Sequence, residues 1–269
     1  MPTYTELDWY ETPRYYDVIF DVDTAEEADF LEAVHVKHGT GRVTPAPRVL
    51  EPACGSGRLL VQMARRGWRV HGFDLEPAMV QYSRGRLRSA GLAGTVAVGD
   101  MASFEVRGKF DLAHCFVSTF KYLLDEASAR AHLQHVAAAL APGGIYALGF
   151  HLTNYAATKT TRERWHVVRD GADVTCTIQG WPAERKARRE KVRTRLVVRE
   201  NGHERRSETV WWFRTYDAKE VRRLVRSVPE LEHVATYDFL YDADDPLTLS
   251  DAQYDTLLIL KRRTEGGAR

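Results

Sequence analysis

The chain has 269 residues, 44% of them hydrophobic, enough for one large α/β domain or a domain carrying an insertion. Its 38 Lys and Arg offset 37 acids for a net charge of +1, which excludes a global pull toward nucleic acid or membrane and confines any such case to local patches. The cysteines Cys54, Cys115 and Cys176 are odd in number and lack metal-type spacing, and no run approaches ~18 apolar residues or reads as a signal peptide. A cytoplasmic protein with free thiols, no metal and no membrane span is the expectation.

Residues 1–40 are aromatic and acidic, with Tyr4, Trp9, Tyr10, Tyr15, Tyr16 and Phe20 crowded together. Thr24 and Glu27 have the spacing of a capping box, which predicts a helix to about Lys37. From Arg48 an apolar run ends in Glu51-Pro52, Ala53-Cys54-Gly55-Ser56-Gly57 follows, and a helical pattern with Leu59, Leu60 and Met63 on its apolar face begins at once. This reads as strand, tight turn and helix. The paired glycines allow positive φ and let a ligand approach bare backbone, where the first helical N–H groups lack partners.

The missing residues narrow the ligand. A dinucleotide fingerprint needs a third glycine where Leu60 stands, and a phosphate loop needs Gly-Lys-Ser/Thr where Arg58 follows Gly57. A nucleoside without a phosphate chain fits better than NAD or ATP. Seventeen residues past Gly57, a second strand ends in Asp74, placed in a βαβ unit to accept from ribose hydroxyls.

Gly67 ends the first core helix, and Pro77 opens another that runs through Met79 to about Ala90, with Arg84, Arg86 and Arg88 on a solvated face. Strands are predicted at 95–98 and 110–116 and a helix at 128–140. Strands alternating with helices predict a parallel sheet covered on both faces, with ligands at the carboxyl ends of the strands. Glu51, Asp74, Asp100 and Cys115 fall at or near those ends.

After a fifth strand ending near His151, periodicity changes. Antiparallel strands are predicted at 165–180, 190–199 and 204–214, the last two joined through Asn201-Gly202, a hairpin signal. Residues 184–206 hold ten Lys or Arg against four Glu, and Lys191, Arg193 and Arg195 alternate onto one strand face. Asp217 caps a helix with Val221, Leu224 and Val225 inward, strands follow at 234–240 and 254–260, and a loose tail starts at Gly266.

These motifs, in this order, resemble the class I S-adenosylmethionine-dependent methyltransferases over roughly residues 45–151, with a looser match at the C-terminus. The resemblance implies an α/β, Rossmann-like doubly wound fold, with a mostly parallel seven-stranded sheet and an inserted antiparallel β subdomain. Its expected segments are a helical cap at 1–40, a cofactor-binding core at 41–154, an insertion at 155–214 acting as lid or dimer contact, and closing elements at 215–265. It implies S-adenosyl-L-methionine as cofactor and S-adenosyl-L-homocysteine as product. Glu51, Ala53, Cys54, Gly55 and Gly57 would hold the methionine part and Asp74 the ribose, with Leu75 and Met79 nearby. Asp100 would meet the adenine amino group, Met101 would cover the ring, and Cys115, Phe116 and Tyr16 would complete the site.

The loop at 116–123 lacks the Asn/Asp-Pro-Pro-aromatic motif of base-flipping enzymes, the carboxylates of the magnesium-dependent type and the glutamates of arginine-directed enzymes. It resembles small-molecule N- and O-methyltransferases, and the insertion resembles glycine-type and sugar-amine N-methyltransferases. Candidate bases are His151 first, at a strand's carboxyl end, then Tyr122 and Tyr15. The expected partner is a small-molecule acceptor, with a homodimer through the inserted sheet. RNA or protein docking on the basic face, or silent cofactor binding, stays as an alternative.

Overall fold

The structure, a computed structural model, describes residues 3–22, 24–40 and 45–264. The tail expected from Gly266 lies outside them. In chain order the elements are β1 (Thr5–Glu6), a 3-10 turn (Trp9–Glu11), α1 (Pro13–Phe20), α2 (Thr24–His38), β2 (Arg48–Pro52), α3 (Arg58–Arg65), β3 (Arg69–Asp74), α4 (Pro77–Ser89), β4 (Gly94–Val98) and β5 (Phe110–Cys115). A second 3-10 turn (Thr119–Tyr122), α5 (Glu126–Ala139), β6 (Leu140–His151), β7 (Thr161–Arg169), β8 (Ala172–Gly180), β9 (Arg189–Glu200) and β10 (His203–Arg214) follow. The chain then closes with α6 (Ala218–Arg226), β11 (Leu231–Tyr237) and β12 (Asp255–Arg262).

Seven strands form one sheet in the order β11-β12-β6-β5-β2-β3-β4. The strands from β4 to β6 pair in parallel, and β12 runs antiparallel between β6 and β11. One face buries Leu50, Phe73 and Tyr146 against α5 and α6, and the other buries Val49, Val70 and Ile145 against α2, α3 and α4. Helices on both faces make the sheet doubly wound, as expected. Among the described residues no helix is long and apolar enough to cross a membrane.

A second sheet has the order β1-β10-β9-β8-β7, antiparallel except where β1 joins β10 in parallel. Its inner face, with Val174, Cys176, Leu196 and Val198, packs on Trp9, Val18 and Ile19 of the N-terminal segment. The cap is therefore not helical alone, since Thr5–Glu6 extends this sheet.

Three local expectations are corrected. The single strand expected at 165–180 is β7 and β8, joined by Asp170-Gly171 with φ of 52° and 77°. Asp-Gly is the same hairpin signal as the Asn201-Gly202 turn, and both turns hold two residues at positive φ. The Thr24–Glu27 capping box does not form, because Arg58 binds the Glu27 carboxylate and Thr24 Oγ1 donates to Asp21. Arg86 is not on a solvated face; it forms ion pairs with Asp17 and Asp21, while Arg84 and Arg88 are exposed.

Candidate active site

The glycine loop sits where β2 meets α3. Ala53, Gly55 and Gly57 take φ of 52°, 52° and 72°, the left-handed region. At Gly57 a Cβ would stand 2.0 Å from Ser83 Oγ, so only glycine lets the loop approach α4. Gly55 N donates to Asp74 Oδ2 at 2.7 Å and Glu76 N to Oδ1 at 2.9 Å, which fixes the carboxylate at the end of β3 beside the loop. Burial raises the Asp74 pKa, and these backbone N–H groups oppose the shift. Leu75, next in the chain, is 70% exposed, an apolar surface at the strand's end. Asp100 is exposed just beyond β4 and accepts from Ala102 N at 2.8 Å, and Met101 packs against the core beside it.

Behind the loop lies a cleft of about 40 Å³ lined by Tyr16, Glu51, Ala53, Cys54, Cys115 and Phe116 among others. Glu51 is buried, its Oε2 has no hydrogen-bond partner, and burial pushes its carboxyl pKa well above the usual range. His114 Nδ1 lies 3.8 Å from Glu51 Oε1, but burial lowers this imidazole to about 3. The contact is therefore not an ion pair. Arg58 lines the cleft with its charge already closed on Glu27.

Helix α1 roofs this cleft and is pinned from several sides. Ser56 Oγ of the glycine loop donates to Asp17 at 2.7 Å, Tyr82 OH donates at 3.2 Å, and Arg86 of α4 binds Asp17 and Asp21. Arg169 of β7 donates to the main-chain oxygens of Asp17 and Asp21.

On the other side of the roof is a chamber of about 300 Å³, walled by Trp9, Tyr10, Tyr122, Trp165, Trp211 and Phe213 together with β6 and β8 residues. Chamber and cleft share Tyr16, Val117 and Thr119. Val117 and Ser118 take φ of 55° and 64°, an uncommon conformation for a β-branched residue such as Val117. Ser118 holds that turn, donating its N–H to Gly149 O at 3.1 Å and accepting from His151 N at 3.2 Å. His151 lines the chamber, and its Nδ1 pairs with Asp255 Oδ1 at 2.8 Å. An ionised carboxylate can only accept, which assigns Nδ1 as the donor in that contact, and among the described residues Nε2 has no hydrogen-bond partner. Lys121 Nζ is buried and closed on Glu190 Oε1 at 2.7 Å.

The expected site residues divide accordingly. Glu51, Ala53, Cys54, Gly55, Cys115, Phe116 and Tyr16 line the cleft, and His151 and Tyr122 line the chamber. Gly57, Asp74, Leu75, Asp100 and Met101 stand outside these walls, in the loop and at the strand ends. Three residues do not behave as expected. Tyr15 lines neither cavity; it donates to Glu200 and accepts from Arg205, because one residue along a helix turns the side chain by about 100° away from Tyr16. Met79 is fully buried in α4 and lines neither cavity. Tyr122 lines the chamber but shares a 2.8 Å hydrogen bond with Tyr10 OH, and burial raises its phenol pKa, which opposes ionisation of the phenol. Sequence reasoning missed Asp255, Lys121 and Glu190. Asp255 faces His151 only through the β6–β12 register, for which no local motif exists.

Comparison with known proteins agrees with this geometry. Residues 49–144 match the methyltransferase domain family. A dTDP-4-amino-2,3,4,6-tetradeoxy-D-glucose N,N-dimethyltransferase of Saccharopolyspora spinosa is 25% identical over 46% of this chain and 54% of its own length. The chain spans about half or less of the length of the curated relatives it matches, 44%, 20% and 54% for three of them. A crystal structure of an S-adenosylmethionine-dependent methyltransferase from Clostridium acetobutylicum superposes with a TM-score of 0.76 at 17% identity, covering 95% of this chain and 99% of that one. The S-adenosylmethionine-bound amino pentose methyltransferase CalS10 of Micromonospora echinaspora superposes with a TM-score of 0.67 at 22% identity, covering 97% and 100%. At these identities the superpositions speak for the fold. Residues 49–144 thus match a methyltransferase domain, and the chain shares the Rossmann-like fold of solved S-adenosylmethionine-dependent methyltransferases.

Proposed function

We propose that the protein transfers the methyl group of S-adenosyl-L-methionine to an amine nitrogen of a small-molecule acceptor, with a hydroxyl oxygen as the second choice of acceptor atom. The carrying observation is the junction of a backbone-lined cleft and an aromatic chamber at Tyr16, Val117 and Thr119. Donor and acceptor held in the two cavities would meet there, and such positioning is the main requirement of the reaction.

The cleft of about 40 Å³ suits the methionine end of this cofactor, whose ribose and adenine would lie outside it along Asp74, Leu75 and Asp100. It offers bare loop backbone, a buried carboxylate with an orphan oxygen and, among the described residues, no lining cation except the already paired Arg58, which fits an aminoacyl nucleoside better than a phosphate. When bound, the cofactor supplies an activated sulfonium methyl. The protein's residues do the rest. The glycine loop and Asp74 hold the amino-acid and ribose parts, Leu75, Asp100 and Met101 meet the adenine, and Cys115 and Phe116 close the inner wall. Buried Trp9 and Val192 and the half-buried Tyr16 and Trp211 exclude water from the chamber. His151 Nε2 takes the proton that the acceptor nitrogen loses, and Asp255 holds the ring in the accepting tautomer.

The names of the relatives support a sugar-borne amine as acceptor. The basic sheet face supports RNA less well, because Arg195 pairs with Glu208, Arg199 and Arg206 with Glu204, and Arg193 with Gln179. Labelled methyl from S-adenosylmethionine, followed into a host extract separated into small-molecule and macromolecular fractions, tests the proposal. Label among small molecules supports it. Label in RNA or protein overturns it, and S-adenosylhomocysteine binding without any transfer marks a silent cofactor-binding protein.

A further inference from the structure

We propose that His132 and Tyr146 are positioning residues for the cofactor site. They form a buried hydrogen-bond relay from the Met101 main chain to the Cys115 thiol, which holds the adenine end, the methionine end and the turn between cleft and chamber in fixed relation. This rests on the methyl-transfer reading above and deepens it, since neither His132 nor Tyr146 lines either cavity.

The relay joins parts that the chain keeps separate. Met101 stands in the turn after β4, which is folded by Ser103 N donating to Asp100 O at 3.2 Å and Ala102 N donating to Asp100 Oδ1 at 2.8 Å. His132 Nδ1 of α5 meets the Met101 carbonyl at 2.9 Å, and His132 Nε2 meets the Tyr146 hydroxyl of β6 at 2.7 Å. Tyr146 is hydrogen-bonded in turn to the Cys115 thiol at the end of β5. The Phe120 N–H bonds the same sulfur. Phe120 follows Thr119, one of the residues that cleft and chamber share.

The direction of each bond follows from its chemistry. A carbonyl only accepts, so His132 Nδ1 carries the proton. Burial lowers the His132 pKa to about 4 and keeps the ring neutral at neutral pH, so Nε2 accepts and the Tyr146 hydroxyl donates to it. The Tyr146 oxygen keeps lone pairs for the Cys115 S–H, whose proton burial retains by raising the thiol to about 12. Donation therefore runs one way, from Cys115 through Tyr146 to His132 and from His132 to Met101.

Both inner members are fully buried, and the rings of Phe104 and Phe120 stand 6.1 and 5.4 Å from the His132 ring between centroids. In so dry an interior a lost partner strands a buried polar group, which makes the relay stiff. Stiffness matters at its two ends. The adenine would rest on Asp100 and Met101, in the loop after β4, and the methionine end beside Cys115, in the loop after β5. Through the relay these two loops move together or not at all, which keeps the cofactor aligned with the acceptor at Val117 and Thr119.

The test is calorimetric titration of S-adenosylhomocysteine into the wild type, Tyr146→Phe and Tyr237→Phe. Tyr237 is the matched control, because its ring is also fully buried and its hydroxyl also meets a histidine, His38 Nε2 at 2.8 Å, but on the other face of the sheet. Tyr146→Phe should weaken binding by about tenfold and Tyr237→Phe by less than about threefold. A loss below about threefold in Tyr146→Phe, or equal losses in the two variants, overturns the proposal. A second pair keeps the test open if Tyr146→Phe does not fold. His132→Gln retains a donor and an acceptor, and His132→Leu retains neither. An apolar core favours leucine, whereas the relay favours glutamine, so the glutamine variant should bind S-adenosylhomocysteine more tightly. Equal or reversed affinities in this pair overturn the proposal. Failure of the wild type to bind S-adenosylhomocysteine, measured first, instead overturns the methyl-transfer reading beneath it.

Discussion

The cleft and the chamber differ in what they are made of. The cleft is backbone and loop, set by glycines at positive φ, one strand-end carboxylate and a short hop from β2 to β3. The chamber is side chain, assembled from the N-terminal turn, the loop after β5, the end of β6 and the inner face of the second sheet. Backbone groups recognise whatever presents matching hydrogen bonds, and the sequence around them can drift as long as the turn survives. A wall of aromatic rings recognises shape and charge, and every residue in it changes what fits. One domain can thus keep a common cofactor while its acceptor changes.

This contrast can be broken by substitutions that affect one half and spare the other. The largest expected effect is in the chamber. His151→Ala should lower turnover by ~100-fold while S-adenosylhomocysteine binding stays intact, and unchanged turnover would remove His151 from proton transfer. Beside the cleft, Asp74→Ala removes the acceptor of the Gly55 and Glu76 N–H groups and should weaken S-adenosylhomocysteine binding by ~1–3 kcal/mol in calorimetry. Wild-type affinity in that variant would refute the ribose role.

A smaller effect sharpens the picture of the cleft without ligand. Burial raises the Glu51 pKa, so the folded chain favours the protonated carboxyl. Above the ordinary carboxylate range the unfolded chain ionises freely and the folded one does not. Stability is then lost as pH rises toward the raised folded value, by up to ~1.4 kcal/mol per pH unit. Glu51→Gln has no such term, so thermal melts should show its advantage over wild type growing between about pH 5 and pH 7. A pH-independent difference would mean that Glu51 is solvated. The smallest effect belongs to the outer sheet face. Arg199→Ala with Arg206→Ala should leave kcat/KM within about twofold, since both side chains pair with Glu204 on the outer sheet face and neither lines the chamber; a larger loss that deepens with added salt would make that face a docking surface.

The legible parts of the sequence share a feature. The β2–loop–α3 turn, Asp74 at the end of β3, the Pro77 helix start and the Asp217 helix cap each lie within about one βαβ unit, where spacing and backbone conformation follow from the residue types. The second hairpin of the insertion was equally legible, since Asp170-Gly171 carries the same positive-φ requirement as Asn201-Gly202. Its apolar flanks merged the two strands into one long run.

The N-terminal aromatics could not be sorted by sequence. Tyr15 and Tyr16 are adjacent and chemically identical, and only the seating of α1 on the second sheet turns Tyr16 inward and Tyr15 toward Glu200 and Arg205. Arg86 is a similar case. Its solvated look in the helix pattern gave no sign of Asp17 and Asp21, which arrive with α1 from well upstream.

By itself, then, the sequence determined the doubly wound core, the glycine loop and the carboxylate beside it, because a turn that needs glycine and a strand that ends in an acid are local facts of the chain. Tertiary structure alone decided the pairing of His151 with Asp255, the closure of Lys121 on Glu190 and the aromatic walls joining Trp9 and Tyr10 to Tyr122 and Trp211. These contacts span 69 to over 100 residues of chain, and their partners are chosen by strand register and by which face of an element is buried, neither of which any short stretch encodes.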